Sequence, residues 1–245
     1  MDILNSWLVN KPIAHRGLWS NDIPENSLAA FEAAIQAGFA IEIDVRMLDD
    51  GTVVVFHDDF LKRMTGRDGY VNALKKEELT EYTLAGTEQH IPTLKEALEL
   101  IAGRVPLLIE TKNTGKVGTF EQAVIDLLQG YKGEIALQSF NPYSLGYFEK
   151  NAPEYPRGQL ASYFRHTDEI GRLKKAMLKR LKLNNVSKPH FIGYDRQYLP
   201  NKYVRKAGLP VLAWTIRSGA EMEAVLPYCD NVVFEKFIPL VENDD

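Results

Sequence analysis

The sequence points to a single α/β domain over residues 1–245, a TIM (β/α)8 barrel. Short apolar runs alternate with helix-patterned stretches from one end of the chain to the other, the signature of a parallel sheet with crossover helices. His15, Glu42, Asp44 and Glu110 fall at or near the C-terminal ends of those runs, where barrels of this kind place their working groups. No Gly-rich phosphate loop follows an early strand, which argues against a doubly wound open sheet.

Eight strands are expected, at 13–15, 40–45, 105–110, 135–138, 158–161, 191–194, 211–214 and 231–234. Helical patterns lie between them at 27–37, 94–101, 119–128, 142–150, 169–183, 201–207 and 220–226. The first strand, Ile13-Ala14-His15, runs into Arg16-Gly17, where glycine relaxes a turn behind a titratable group and a fixed cation, the beginning of a phosphate site. Ser27 then stands as cap for the helix that follows. Residues 40–45 read Ala-Ile-Glu-Ile-Asp-Val, so Glu42 and Asp44 share one strand face while Ile41, Ile43 and Val45 take the other. The Asp50-Gly51 turn leads into Val-Val-Val-Phe at 53–56, a hairpin that returns His57-Asp58 to the acidic face.

Residues 59–91 break the alternation with Thr65-Gly66-Arg67-Asp68-Gly69, a charged stretch and Ala85-Gly86-Thr87. They read as a loop excursion over the barrel mouth, too short for a second domain. Further on, residues 165–188 carry eight Lys or Arg, with Ile170, Leu173, Met177 and Leu181 at helical spacing. This amphipathic basic helix is read as an outer helix with a solvated face rather than a contact for anionic lipid. The acidic tail at 242–245 is expected to fray.

With 45% apolar residues, the chain is long enough to bury one large core. A formal net charge of -4 argues against a global footprint for nucleic acid. A single cysteine, Cys229, excludes an internal disulfide and any Cys-rich zinc site, and fits a reducing compartment. The acidic N-terminus has no apolar core of a secretory signal, and no later run approaches the roughly 18 apolar residues of a membrane span. A cytoplasmic protein without stable membrane insertion is therefore expected; a homodimer stays open.

Two carboxylates on one buried face lose hydration and repel each other, and a divalent cation removes both penalties. Glu110, closing the apolar run Pro-Leu-Leu-Ile-Glu, is the third candidate ligand. Lys112 lies two residues on and faces the same way, to balance charge or hold a substrate oxygen; Glu110 with Lys112 reads equally as a rim salt bridge. An all-oxygen set favours one hard cation, Mg2+ or Ca2+, over zinc, without choosing between the two. His15 and His57 are the acid and base candidates because imidazole titrates near neutrality. His90, His166 and His190 have no such company and are assigned structural or surface roles.

The ordered set His15-Arg16-Gly17, Pro24-Glu25-Asn26-Ser27, Glu42-x-Asp44 and His57-Asp58 resembles the glycerophosphodiester phosphodiesterases. The resemblance continues through 91–98, Glu110-Thr111-Lys112, Gln138-Ser139-Phe140 and 208–215, nearly the whole chain. It implies metal-assisted cleavage of a small glycerophosphodiester to glycerol 3-phosphate and an alcohol. In that scheme Arg16 holds phosphate oxygens, Trp214 forms an aromatic wall against the glycerol, and His15 as base and His57 as acid move the protons. For Trp214 a barrel-core aromatic is the competing role. Glu25 and Asn26 would organise the first loop. The chain departs from the family pattern at Ser27, where Thr is commoner, at Arg217, where Asn is common, and at the last strand, where Asn231, Phe234 and Glu235 stand in place of Gly, Thr and Asp. A lysophospholipase D-type activity and a non-catalytic phosphodiester-binding barrel are the rival readings. A metal-dependent aldolase has no need of the His-Arg-Gly and His-Asp pairs.

Overall fold

The computed structural model describes residues 2–164 and 171–239. Among these, nine strands form: β1 (Ile13–His15), β2 (Ala40–Met47), β3 (Val53–Val55), β4 (Leu107–Thr111), β5 (Ile135–Ser139), β6 (Arg157–Ala161), β7 (Phe191–Asp195), β8 (Val211–Ile216) and β9 (Asn231–Phe234). Their order is β1-β9-β8-β7-β6-β5-β4-β2-β3, with β1 also paired to β2, the TIM (β/α)8 arrangement with β3 added as a short flank. The chain divides into two compact units, residues 14–135 and residues 1–13 with 136–245. No helix among the described residues is long and apolar enough to cross a membrane.

In the 14–135 unit, β2 runs parallel to β4 and antiparallel to β3. Both faces of β2 are buried over its first six residues, so it can carry Ile41, Ile43 and Val45 on one side and polar groups on the other. Helix Leu28–Gln36 starts at Ser27, whose hydroxyl accepts from Ala30 N at 3.1 Å. Helix Leu94–Ile101 starts with a capping box in which Thr93 and Glu96 satisfy each other's backbone N–H. Its Leu94, Ala97, Leu98 and Ile101 recur at i, i+3, i+4 and i+7 and are buried together. Residues 59–91 carry a short helix at Lys62–Thr65 and 3-10 turns at Val71–Ala73 and Lys76–Glu81. Leu61, Met64, Val71, Leu74, Leu79 and Leu84 from this excursion pack with Leu48, Val54 and Phe56 into a small core of their own.

In the other unit, β5 to β9 form a parallel ladder with one register shift between Ala213 and Ile216. Asn141, Asn201 and Ser218 cap helices Pro142–Asn151, Lys202–Ala207 and Gly219–Val225 through their side-chain oxygens. The Asn231 amide donates to the Leu8 and Lys11 carbonyls at 2.8 and 2.7 Å and so ties the N-terminal segment to β9. Gly158 stands opposite the fully buried Phe191 in the β6–β7 register, and a Cβ there would lie 2.1 Å from the ring. Gly158→Ala is accordingly expected to cost about 1–3 kcal/mol by overpacking, read as a lower urea midpoint at unchanged slope.

The basic helix differs from expectation. Within the described residues it spans only Arg172–Lys179, because the chain turns at Leu181, whose φ is 56° and whose side chain is buried with Tyr194. Leu173, assigned to the apolar stripe, is 77% exposed; so short a helix meets the core only at its end, through Leu178. Lys179 and Arg180 instead lie over the rings of Tyr163 and Tyr203 at 4.9 and 5.7 Å. Arg165, His166 and Ile170, the start of the expected 169–183 helix and the tail at 242–245 lie outside the described residues.

Candidate active site

The β2–β4 register sets Asp44 opposite Glu110, and Glu42 lies two residues back on the same face of β2. All three carboxylates are buried, and one oxygen from each falls within 4.8 Å of the others. Lys112, just past the end of β4, puts Nζ 2.9 Å from Asp44 Oδ1 and 2.6 Å from Glu110 Oε1. On the other side, Arg16 Nε lies 3.1 Å from Asp44 Oδ2, and the Arg16 backbone N–H donates to Glu42 Oε2 at 3.1 Å. Asn26 braces Asp44 twice: its amide nitrogen donates to Oδ2 at 2.9 Å and its oxygen accepts from the Asp44 backbone N–H at 3.3 Å.

These contacts demand unusual backbone. Arg16, Gly17 and Asn26 have φ of 63°, 81° and 54°, left-handed values that non-glycine residues seldom adopt. At Gly17 a Cβ would also lie 2.8 Å from the Ala30 backbone.

The electrostatics follow from packing acids without water. Burial, then the charges of Asp44 and Glu110, push Glu42 well above the usual carboxylate range. Burial raises Glu110 as well, with Lys112 only partly opposing it. Burial works against Asp44 too, but Lys112 and Arg16 outweigh it and hold that carboxyl well below its ordinary value. Lys112 is held charged by Asp44 and Glu110 against its own desolvation. Three carboxylates against two cations leave an excess of negative charge, and every donor is a carboxylate oxygen. The set fits a hard divalent cation.

His15 Nε2 lies 4.0 Å from Glu42 Oε2. The His57 ring, about one third exposed, has Nδ1 2.6 Å from Asp58 Oδ1. A carboxylate acceptor there requires Nδ1 to carry the hydrogen. Arg46, from β2, donates to the His57 carbonyl oxygen from Nε at 2.9 Å and Nη2 at 2.7 Å and also pairs with Asp59. Arg63, on the short helix of the excursion, reaches Asp58 Oδ2 at 2.5 Å and both oxygens of Glu25 at 2.7 and 2.9 Å. Glu25 in turn lies 2.5 Å from Arg16 Nη1.

His15, Arg16, Glu42, Asp44, His57, Glu110 and Lys112 thus all belong to the 14–135 unit. Trp214 belongs to the other, half-buried on β8, with its ring edge-on to Phe140 at 5.6 Å. Glu235 and Arg217 also lie there, joined through Nε and Oε1 at 2.7 Å. Of the remaining histidines, His90 sits 3.5 Å from Glu96, and His190 Nδ1 accepts from the Arg157 N–H at 3.1 Å. Sequence reasoning passed over Arg46 and Arg63. Arg46 had a signal, since it shares the face of Glu42 and Asp44 in the β2 alternation. Nothing local separates Arg63 from Lys62 and Arg67 beside it.

The model of the glycerophosphoryl diester phosphodiesterase family matches residues 15–233. A glycerophosphodiester phosphodiesterase of Caldanaerobacter subterraneus subsp. tengcongensis is 36% identical over 160 residues, 60% of this chain and 65% of that protein's length. A Bacillus subtilis glycerophosphodiester phosphodiesterase is 27% identical over 250 residues, 92% of this chain and 83% of its own. Among solved structures, an Oleispira antarctica phosphodiesterase in complex with the product sn-glycerol-3-phosphate is 27% identical, covers 93% of both chains and superposes with a TM-score of 0.76.

Proposed function

This chain belongs to the glycerophosphoryl diester phosphodiesterase family, and from that premise we propose that it hydrolyses small glycerophosphodiesters to glycerol 3-phosphate and an alcohol. Glu42, Asp44 and Glu110 hold one divalent cation, Mg2+ or Ca2+, and His15 and His57 move the protons. The observation that carries the reading is the buried meeting of those three acids with Lys112 and Arg16. A divalent ion would offset the excess negative charge of the three acids and leave the site able to take a phosphodiester anion. The Oleispira relative, solved with the product sn-glycerol-3-phosphate, supports a substrate that contains a glycerol phosphate group.

When bound, the cation supplies Lewis-acid polarisation of the phosphoryl oxygens. Arg16 adds a permanent charge; two of its five N–H donors face Glu25 and Asp44, so the rest can bond phosphate oxygens. Lys112 steadies Asp44 and Glu110 and can hold a further substrate oxygen. His57, its Nδ1 hydrogen engaged by Asp58, exchanges protons through Nε2 and delivers one to the departing alcohol. His15 takes the proton of the attacking group, a water or the substrate's own neighbouring hydroxyl. The free Cys229, its thiol pushed up to about 12 by burial, fits a reducing compartment, and we place the enzyme in the cytoplasm.

The test is release of glycerol 3-phosphate from glycerophosphocholine and glycerophosphoethanolamine, with and without chelator. Release that stops on chelation is expected; no phosphate monoester from either diester would discard the reading. One observation favours a second reading, activity on lipid phosphodiesters that keep an acyl chain. Phe60 and Tyr70, each 55% exposed, pack their rings at 4.6 Å soon after His57-Asp58. We expect kcat/KM for glycerophosphocholine to exceed that for lysophosphatidylcholine, and the opposite order would establish the lipid reading.

A further inference from the structure

One guanidinium joins the two sides of the site. From His57 Nδ1 the contacts run to Asp58 at 2.6 Å, from Asp58 to Arg63 at 2.5 Å, from Arg63 to Glu25 at 2.7 and 2.9 Å, and from Glu25 to Arg16 at 2.5 Å. Arg16 closes the series on Asp44 at 3.1 Å. We propose that Arg63 is a positioning residue that locks the proton-carrying ring of His57 and the phosphate-holding guanidinium of Arg16 into one arrangement.

The bland alternative is a surface ion pair, since the Arg63 side chain is 47% exposed, and such pairs contribute little. Its partners make the difference. Glu25 is buried and takes a bidentate fork from Arg63, a geometry that fixes orientation as well as distance. Burial disfavours the Glu25 charge, and Arg63 and Arg16 overcome it. Asp58 receives its two bonds on different oxygens, the His57 ring on Oδ1 and Arg63 on Oδ2, so the carboxylate cannot rotate to follow the ring. An ammonium cannot replace this, being a point donor, whereas a guanidinium presents three N–H-bearing nitrogens in one plane.

The backbone presents Arg63 firmly. Its helix, Lys62–Thr65, is anchored by the buried neighbours Leu61 and Met64 and ends at Gly66 with φ of 72°. Leu61 N–H donates to Gly69 O at 3.0 Å and Val71 N–H to Asp59 O at 2.9 Å, closing the segment on itself. The excursion thereby delivers one side chain to the site rather than only covering it.

The inference rests on the reading that His57 carries a proton, so its test uses a readout independent of turnover. In full-length protein labelled with 15N, the wild-type His57 ring should show one tautomer with Nδ1 protonated; Arg63→Lys and Arg63→Ala should show exchange between tautomers. Ring signals unchanged in the folded Arg63→Lys variant would overturn the proposal, whatever happens to turnover. With glycerophosphocholine and saturating Mg2+, Arg63→Lys should lose about 10- to 100-fold in kcat, the size of a misplaced reacting group. Asp58→Asn should reproduce the kcat loss, Glu25→Gln a rise in KM, and added guanidinium chloride should recover part of the Arg63→Ala activity. Kinetics of Arg63→Lys within twofold of wild type would equally overturn it. Absence of wild-type turnover would remove the phosphodiesterase reading and leave the ring signals to decide this one.

Discussion

His57→Ala is expected to lower kcat by about 100- to 10,000-fold, the range of general acid–base effects, while the melting temperature holds. The ring is one third exposed and its Nδ1 bonds Asp58, so removing it leaves no core cavity. What disappears is the imidazole proposed to hand a proton to the departing alcohol. His15→Ala should fall in the same range, through a ring that sits 4.0 Å from Glu42. The two variants also settle which histidine does what. A bell-shaped kcat/KM profile is expected for the wild-type enzyme, and each variant should lose one limb of it, the acid-side limb with the base and the alkaline limb with the acid. Activity above one tenth of wild type in either variant would remove that histidine from the mechanism.

Stripping divalent cations should abolish turnover, and Glu42→Gln should weaken cation binding in calorimetry by more than about 100-fold, beyond the roughly 10- to 100-fold that a supporting residue costs. The sign of the stability change makes this a sharp test. Burial and the charges of Asp44 and Glu110 raise the Glu42 pKa above its unfolded value, so stability is lost as pH climbs from the ordinary carboxylate range toward that raised value and stays lost beyond it. At neutral pH Glu42→Gln should therefore raise the melting temperature of the metal-free protein. With cation added, the wild type should gain stability by mass action and the variant should gain less, so the order narrows or reverses. Unchanged affinity would take Glu42 out of the ligand set.

The barrel could be read in advance because β2, β4 and β8 are short strands rich in Ile, Leu, Val and Ala and mostly buried on both faces, and such strands have few other homes. Helices Leu94–Ile101 and Thr119–Leu128 were legible as helical stretches and Ser27 as a cap, whereas the Thr93–Glu96 capping box came only with the structure. The basic helix failed because charge at helical spacing says nothing of a backbone turn at Leu181. Within the site, alternation in β2 was enough to pair Glu42 with Asp44. Arg63 was not legible, because its importance lies in Glu25, 38 residues earlier, and in no pattern of its own neighbours. Arg217 and Glu235, two of the departures from the family pattern, face each other at 2.7 Å, a pairing that residues 18 positions apart do not announce.

The alignment of Asp44 with Glu110 has a consequence for how the protein tolerates change. Side chains of Ile43 and Ile109, also opposite each other, set how closely the same two strands pack from the reverse side. Carboxylates placed by a backbone ladder have no slack with which to absorb a shift of a few tenths of an ångström. For the proposed cation site, Ile43 and Ile109 are therefore expected to influence metal preference from behind the ladder, and a search for altered preference would do well to begin with them.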